Sequence, residues 1–107
     1  MLLRVGPKIK ITPEIYEDER GFFFESFNEK HFCRAIGSDL TFVQDNHSFS
    51  KIKGTVRGLH FQYPPMQQSK LITVQKGIIQ DIVVDIRKKS KTYGNYVSIK
   101  MIDNAFN

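Results

Sequence analysis

The chain has 107 residues, of which 40% are hydrophobic and 25% charged, with a net charge of +5 and a single cysteine, Cys33. These values are typical of one globular domain over residues 1–107 and exclude a disordered, collagenous or two-domain chain. Its longest apolar runs fall far short of the roughly 20 residues that cross a bilayer. The sequence begins without a signal-peptide apolar region, and a lone cysteine cannot form an internal disulfide, so we predict a cytoplasmic protein.

The positive charge raises the question of a polyanionic ligand, because basic chains attract nucleic acids. The basic residues are spread along the sequence, however, and the one dense cluster is Arg87-Lys88-Lys89-Ser90-Lys91. A cluster of this kind between two strand candidates is typical of a solvated turn. We therefore predict neither a nucleic-acid partner nor a membrane partner, while a phosphorylated small molecule remains compatible with the charge.

Most of the chain consists of short runs of β-branched and aromatic residues separated by Gly, Pro and Asn, which is the signature of β-strands. In chain order the strand candidates are Lys8 to Thr12, Phe22 to Phe27 after a turn at residues 19–21, Phe42 to Ser48, Thr55 to Gln62, Lys70 to Gln75, Ile78 to Arg87, and Asn95 to Ile102. Strands spaced by about 8–12 residues favour an antiparallel sandwich or barrel over a parallel sheet, which needs several helical crossovers. The sequence therefore predicts an all-β fold.

One helix is predicted from Glu29 to Ile36, between the second and third strand candidates. Asn28 is suited to be its N-cap, and Gly37 is suited to end it. Its apolar side consists of Phe32, Ala35 and Ile36.

The number of strand candidates is about seven, whereas a jelly-roll barrel has eight strands. An open sheet edge near the end of the chain would favour association with another strand. The sequence thus predicts either a chain that dimerises through its strands or a shortened version of a longer protein.

The densest polar stretch is Val43 to Ser48. In a strand, Gln44, Asn46 and Ser48 share one face, while Asp45 and His47 share the other. A face of amides and hydroxyls that points into a barrel would hydrogen-bond a polar ligand. An ordinary exposed strand is the alternative, and the stretch alone leaves both open.

A histidine within a strand candidate is the first residue that suits acid–base chemistry. His60 lies among apolar residues, and imidazole exchanges protons near neutral pH. Gly58 would mark a bulge that lets Arg57 and His60 reach one pocket. A purely structural histidine is the alternative.

A lysine opens the next strand candidate. Inside a barrel Lys70 would need an anionic partner, which Asp81 or Asp85 could supply; at a strand end it would be an ordinary surface lysine. The three histidines of the chain are scattered, so no metal signature stands out.

Taken in order, several segments resemble the dTDP-4-dehydrorhamnose 3,5-epimerase family, and together they cover nearly the whole chain. The segments are Glu19 to Glu25, Phe42 to Ser48, Arg57 to Gln62, Pro64-Pro65, Gln68 to Leu71, Asp81 to Arg87, and Ser90 to Gly94. The resemblance implies a cupin-like jelly roll that works as a homodimer, without metal or organic cofactor, on a dTDP-4-keto-6-deoxy sugar in rhamnose-type deoxysugar biosynthesis.

The resemblance also implies roles for individual residues. His60 resembles the general base that removes the proton next to the ketone, and Lys70 resembles the cation that stabilises the resulting enolate. The implied contacts to the substrate are Arg57, Gln44 and Asn46, and the implied contacts to the partner subunit's nucleotide are Arg20 and Glu25.

Members of this family continue beyond the position of Asn107, so the resemblance implies the N-terminal portion of an epimerase. The later half supplies a tyrosine general acid and an aspartate that orients the base. A single-position epimerase, a ketoisomerase, and a non-catalytic cupin-like module for sugar-nucleotide binding or assembly remain alternatives. A proton-transfer residue opposite His60 would separate an enzyme from the non-catalytic module, and the candidates within the chain are Tyr63, Tyr93 and Tyr96.

Overall fold

The computed structural model describes residues 2–5 and 8–103. Its elements are β1 (Leu2–Val5), β2 (Lys8–Ile11), β3 (Tyr16–Asp18), β4 (Gly21–Phe23), α1 (Glu29–Ile36), β5 (Ile78–Val84) and β6 (Tyr96–Ile102). The chain divides into a first unit of residues 1–41 and 74–107, which holds all these elements, and a second unit of residues 42–73. The prediction of a single domain over residues 1–107 stays a prediction.

Each strand of the first unit pairs antiparallel with its neighbour in sequence, which gives the hairpins β1–β2, β3–β4 and β5–β6. The β5–β6 hairpin is the longest, and its register runs from Ile78 opposite Ile102 to Val84 opposite Tyr96. Exposure alternates along β6, where every second residue from Val97 onwards is half-buried. This is the period of two expected for a strand with one covered face, and it confirms the candidate Asn95 to Ile102. The candidate Ile78 to Arg87 is confirmed as far as Val84 and is wrong for residues 85–87, which belong to the turn.

The turn between β5 and β6 is organised around the carboxylate of Asp85, a residue that is 2% exposed. Arg87 donates to this carboxylate from its backbone N–H, Nε and Nη2 at 3.0, 2.9 and 2.8 Å. The hydroxyls of Ser90 and Thr92 donate to it at 2.7 and 2.6 Å. The Arg87 guanidinium, followed by the two hydroxyls, holds the pKa of the Asp85 carboxyl far below its ordinary value.

The basic cluster of residues 87–91 lies in this same turn, and its three lysines are exposed. The structure therefore confirms the predicted solvated turn. The absence of nucleic-acid and membrane partners stays a prediction. No helix in the described part of the chain is long and apolar enough to cross a membrane.

The predicted helix is confirmed at both ends. The Asn28 side chain accepts a hydrogen bond from the His31 backbone N–H at 3.1 Å, as an N-cap does. Gly37 follows the helix with φ 70°, and its N–H donates to the Cys33 carbonyl at 3.0 Å. The residues that the sequence placed on the apolar side of α1 are half-buried, and the four charged or imidazole side chains of the helix are exposed.

The first hairpins match the sequence less completely. The candidate Lys8 to Thr12 is confirmed as β2, whereas β1 and β3 were missed. The candidate Phe22 to Phe27 is wrong beyond Phe23, because the ladder ends where Tyr16, the first residue of β3, pairs with Phe23. A signal for β1 exists in the sequence, since the dipeptide Gly6-Pro7 ahead of Lys8 is typical of a turn.

Three strand predictions are wrong: Phe42 to Ser48, Thr55 to Gln62 and Lys70 to Gln75 contain no strand. Between described residues, the backbone–backbone hydrogen bonds of the second unit are turn bonds, from Thr55 to Ile52 and from Met66 to Tyr63. A strand exists only when a neighbouring strand shares its ladder. Composition and alternation make these segments suitable for a ladder, but they do not supply the partner strand.

Among the described residues there are six strands and one helix of eight residues, as the all-β prediction requires. Within these residues the strands form two-stranded sheets and no closed barrel.

Candidate functional site

The second unit carries five of the seven predicted site residues, and all five are exposed. These residues are Gln44, Asn46, Arg57, His60 and Lys70. This unit lacks strands and helices, and side-chain hydrogen bonds within it position Gln44, Asn46 and Arg57.

The two amides of the polar stretch lie together. The Gln44 Nε2 donates to the Asn46 Oδ1 at 3.2 Å, although neither residue lies in a strand. The predicted strand face of Gln44, Asn46 and Ser48 is not formed, because residues 42–48 contain no strand, and the two amides meet within a loop instead. This bond leaves the Gln44 carbonyl oxygen as an acceptor and the Asn46 NH₂ as a donor for a polar ligand.

Arg57 is fixed by the loop that precedes it. Its Nε donates to the Ser50 Oγ at 3.0 Å, and its Nη2 donates to the Phe49 carbonyl at 3.1 Å. Within this loop Thr55 bonds back to the Ile52 carbonyl through both its N–H and its hydroxyl. These bonds use one edge of the planar guanidinium, and the opposite edge remains suited to a bidentate bond with phosphate.

His60 lies two residues beyond Gly58, and its ring occupies the space next to the side-chain position of that glycine. A β-carbon placed on Gly58 would be 3.0 Å from the Nδ1 of His60 and 3.3 Å from its backbone nitrogen. Within residues 42–73, no hydrogen bond or ion pair joins His60 to Arg57, Lys70 or the amide pair. The single pocket for Arg57 and His60 therefore stays a prediction.

A tyrosine named as a possible acid lies three residues beyond His60. The ring of Tyr63 meets the ring of Phe61 edge-on, with centroids 4.9 Å apart and an interplanar angle of 71°. Tyr63 is 76% exposed, so its hydroxyl is accessible to solvent or a ligand. The other candidates, Tyr93 and Tyr96, belong to the first unit.

Arg20 lies in the turn of the β3–β4 hairpin and is paired within it. Its backbone N–H and its Nε donate to the Asp18 carboxylate at 2.9 and 3.1 Å, and its Nη2 completes an ion pair. The Arg20 guanidinium lowers the pKa of Asp18, and Asp18 raises the pKa of Arg20. The arginine side chain is 85% exposed and lines an open cleft of about 410 Å³ together with Tyr16 and Phe22.

Glu25 is connected to the start of α1. Its Oε1 lies 3.0 Å from the His31 Nδ1, and its Oε2 accepts a bond from the Asn28 amide at 3.3 Å. The N-cap therefore couples this carboxylate to the helix.

Sequence reasoning missed the residues that hold these side chains. Ser50 accepts a hydrogen bond from Arg57, and Asp18 accepts one from Arg20. Asp85, which the sequence suggested only as a partner for Lys70, accepts the hydrogen bonds that organise the turn between β5 and β6. The spacing Asp-x-Arg at both 18–20 and 85–87 is a local signal for two of these pairs. Nothing in the sequence indicates that Arg57 reaches back to Ser50.

A metal-binding arrangement is not formed by the residues that the structure describes, since no three His, Cys, Asp or Glu side chains of that part come together. The prediction of chemistry without metal or organic cofactor stays a prediction.

Comparison with known proteins identifies what this chain resembles. The dTDP-4-dehydrorhamnose 3,5-epimerase of Shigella flexneri is 51% identical over 89 residues, which are 83% of this chain and 49% of that protein. The chain spans about half the length of the curated relatives it matches.

Solved structures agree in fold. A dTDP-4-dehydrorhamnose 3,5-epimerase from Bacillus anthracis, with TDP and PPi bound, aligns with a TM-score of 0.79 and 46% identity over 84% of this chain and 51% of that one. A dTDP-6-deoxy-D-glucose-3,5-epimerase from Legionella pneumophila, in complex with dTDP-4-keto-L-rhamnose, aligns with a TM-score of 0.77 and 47% identity over 84% of this chain and 47% of that one. These structures confirm the predicted all-β, cupin-like fold class.

The family model described as dTDP-4-dehydrorhamnose 3,5-epimerase matches residues 4–107, which is nearly the entire chain. This match includes every predicted site residue, and the sequence resemblance is confirmed. The chain belongs to the dTDP-4-dehydrorhamnose 3,5-epimerase family.

Proposed function

We propose that this chain acts in the cytoplasm on a dTDP-4-keto-6-deoxy sugar and inverts a carbon next to the ketone, as a step of rhamnose-type deoxysugar biosynthesis. The observation that carries the proposal is the family match over residues 4–107. Two structurally similar relatives support the ligand class, since one holds TDP and PPi and the other holds dTDP-4-keto-L-rhamnose.

The proposed reaction uses the substrate's own ketone as the electron sink. The His60 imidazole removes the proton from the carbon next to the carbonyl, and the C–H electron pair moves onto the carbonyl oxygen to form an enolate. The Lys70 ammonium stabilises that developing negative charge. A proton donated to the opposite face of the same carbon, for which the exposed Tyr63 hydroxyl is the candidate in the same unit, restores the ketone with inverted configuration. His60 then loses its proton to solvent and the donor regains one from solvent, so the step is redox-neutral.

The remaining predicted residues are proposed to bind the sugar nucleotide. Arg57, with one guanidinium edge fixed by the 49–50 segment, suits an anionic diphosphate, and the amide pair Gln44–Asn46 suits sugar or base hydroxyls and carbonyls. Arg20 and Glu25 are proposed to contact the nucleotide of the partner subunit in a homodimer.

The decisive experiment follows hydrogen exchange rather than product alone. The dTDP-4-keto-6-deoxy sugar is incubated with the chain in D₂O, and deuterium incorporation next to the ketone is followed by NMR. We expect exchange in the unmodified chain and its loss in His60→Asn, because a positioned base contributes about 10²–10⁴-fold. His47→Asn, which alters another exposed histidine of the same unit, is the matched control and should retain exchange.

Two outcomes would contradict this function. Exchange that survives in His60→Asn would remove His60 as the base. Absence of exchange in the unmodified chain, while thymidine diphosphate still binds and raises the melting temperature, would favour a non-catalytic sugar-nucleotide-binding module.

A further inference from the structure

Gly58 combines two features, of which the other glycines that the structure describes have only the first. Its φ of +109° is a backbone conformation that L-residues with side chains rarely adopt. In addition, a β-carbon at this position would lie 3.0 Å from the His60 Nδ1, 3.3 Å from the His60 backbone nitrogen and 3.7 Å from the ring Cε1. The imidazole of His60 therefore lies against the place where a side chain at position 58 would be.

The comparison with the other positive-φ glycines among the described residues isolates this second feature. At Gly21, Gly37, Gly54, Gly77 and Gly94 a β-carbon would meet nothing within 4 Å. The backbone conformation alone accounts for glycine at those five positions. At Gly58 the absence of a side chain also leaves room for one particular ring.

We propose that Gly58 is a positioning residue for the base of the reaction, an inference that rests on the proposed function of His60. The Nδ1–Cε1 edge of the ring is the part nearest to Gly58, and Nε2 lies farther from it. Gly58 also follows Arg57 directly, whose guanidinium is bonded to the 49–50 segment. Gly58 therefore connects Arg57, whose side chain is fixed by hydrogen bonds, to the segment that carries the His60 imidazole.

The physical consequence of adding one methyl group follows from these distances. A carbon 3.0 Å from a ring nitrogen is closer than ordinary van der Waals contact, so either the imidazole shifts by a few tenths of an ångström or the backbone leaves its positive φ. Both changes displace the imidazole, and because a misplacement of about 1 Å costs on the order of 10²-fold in rate, this smaller shift should cost about 5-fold. The Arg57 anchor is made by its own side chain, so nucleotide binding should persist.

The first test compares Gly58→Ala with Gly54→Ala, because Gly54 has a similar positive φ of 85° in the same unit but no atom in the way. We expect Gly58→Ala to lower kcat for deuterium exchange about 5-fold with KM for the sugar nucleotide nearly unchanged. Gly54→Ala should retain kcat. Equal loss in both variants would show that backbone strain alone is responsible and would overturn the inference.

A double-variant cycle separates positioning from general damage. If Gly58→Ala acts only through the base, then adding it to His60→Asn should cause no further loss of rate. An additional loss of similar size in that background would mean that Gly58 has a structural role independent of His60, and the inference would fail.

A measurement without catalysis keeps this inference distinct from the proposed function. In the unmodified chain, the His60 Hε1 proton should show a nuclear Overhauser contact with the α-protons of Gly58, and the His60 ring signals should shift in Gly58→Ala but not in Gly54→Ala. These results would support the contact even if the unmodified chain exchanged no hydrogen, in which case only the function would fall. Absence of the Overhauser contact would overturn the inference even if Gly58→Ala failed to fold.

Discussion

Two aspartates in the first unit are each held by an arginine two residues later, and the pairs differ mainly in exposure. In both, the arginine donates its backbone N–H and its guanidinium to the carboxylate. The Asp18 side chain is 47% exposed, so water screens its pair with Arg20, and such surface pairs contribute little to stability. The Asp85 side chain is fully covered, and removal of its charge would leave Arg87 and two hydroxyls without their acceptor.

We therefore expect Asp85→Asn to lower the melting temperature markedly and Asp18→Asn to change it little. An amide keeps the shape of the carboxylate but replaces one acceptor oxygen by a donor, which opposes the N–H and O–H groups that point at it. Thermal unfolding followed by circular dichroism compares the two variants. An equal fall in melting temperature for the two variants would show that burial of the Asp85 side chain does not determine its contribution to stability.

The same carboxylate predicts a pH dependence. Folding lowers the pKa of Asp85, so its stabilising contribution is present above the pKa of the unfolded group, about 3.9, and is lost as the pH falls through the lower folded-state pKa. NMR signals of the β5–β6 hairpin should thus be constant from pH 7 to about 5 and weaken below about 4. Asp85→Asn should remove the part of this acid transition that belongs to the turn.

Arg57 is the residue at which the guanidinium shape, rather than its charge, should matter. Lysine keeps the charge but cannot bond Ser50 and the Phe49 carbonyl while presenting a second edge to phosphate. We expect Arg57→Lys to weaken thymidine diphosphate binding about tenfold, since hydrogen bonds between charged groups are worth about 1.5–3 kcal/mol and 1.4 kcal/mol is tenfold. Calorimetric titration measures the change, and Lys53→Arg serves as the control on a nearby exposed cation.

At the scale of elements, the N-cap of α1 offers a clean test. Asn28→Ala removes the acceptor for the His31 N–H and also the donor to Glu25, and cap removal typically costs about 1 kcal/mol. Chemical denaturation should show this loss, whereas Ser26→Ala, an exposed position outside the helix, should be nearly neutral. If Asn28→Ala and Ser26→Ala had the same free energy of unfolding, the N-cap would contribute nothing to the stability of this chain.

The elements that sequence reasoning predicted well are those whose determinants are local. The bounds of α1 follow from Asn28, Gly37 and the apolar spacing between them. The β5–β6 hairpin follows from two alternating runs joined by a polar turn. The strands predicted in the second unit failed because a ladder needs a partner that periodicity does not name. Among site residues, the Gln44–Asn46 contact forms outside any strand, and the bond from Arg57 to Ser50 reaches back seven residues, so both depend on loop geometry that no pattern encodes.

At the scale of the whole molecule, apolar side chains are covered very incompletely. Within residues 9–103 only Val74 and Asp85 are buried, and large apolar residues of the second unit such as Val43, Phe49 and Val56 are at least 83% exposed. The sheets of the described chain have two strands each, so every strand has an open edge. Two-stranded sheets are marginal in water, and open edges and apolar patches both favour association.

We therefore expect the chain to self-associate, and we expect the segments 42–48, 55–62 and 70–75 to form ladders only in the associated state. Their composition suits strands, and another copy can provide the neighbouring strand that they lack in the described chain.

Sedimentation velocity over a range of micromolar concentrations should show a dimer or larger species. Hydrogen exchange at the same concentrations should show amide protection in these three segments rising with association, while protection of β5–β6 stays constant. A monomer with dispersed NMR signals would contradict this view, because it would mean that these strand-like sequences do not require a partner strand. A dimer whose three segments exchange as fast as in the monomer would also contradict it, because it would mean that they do not find a partner strand in a second copy.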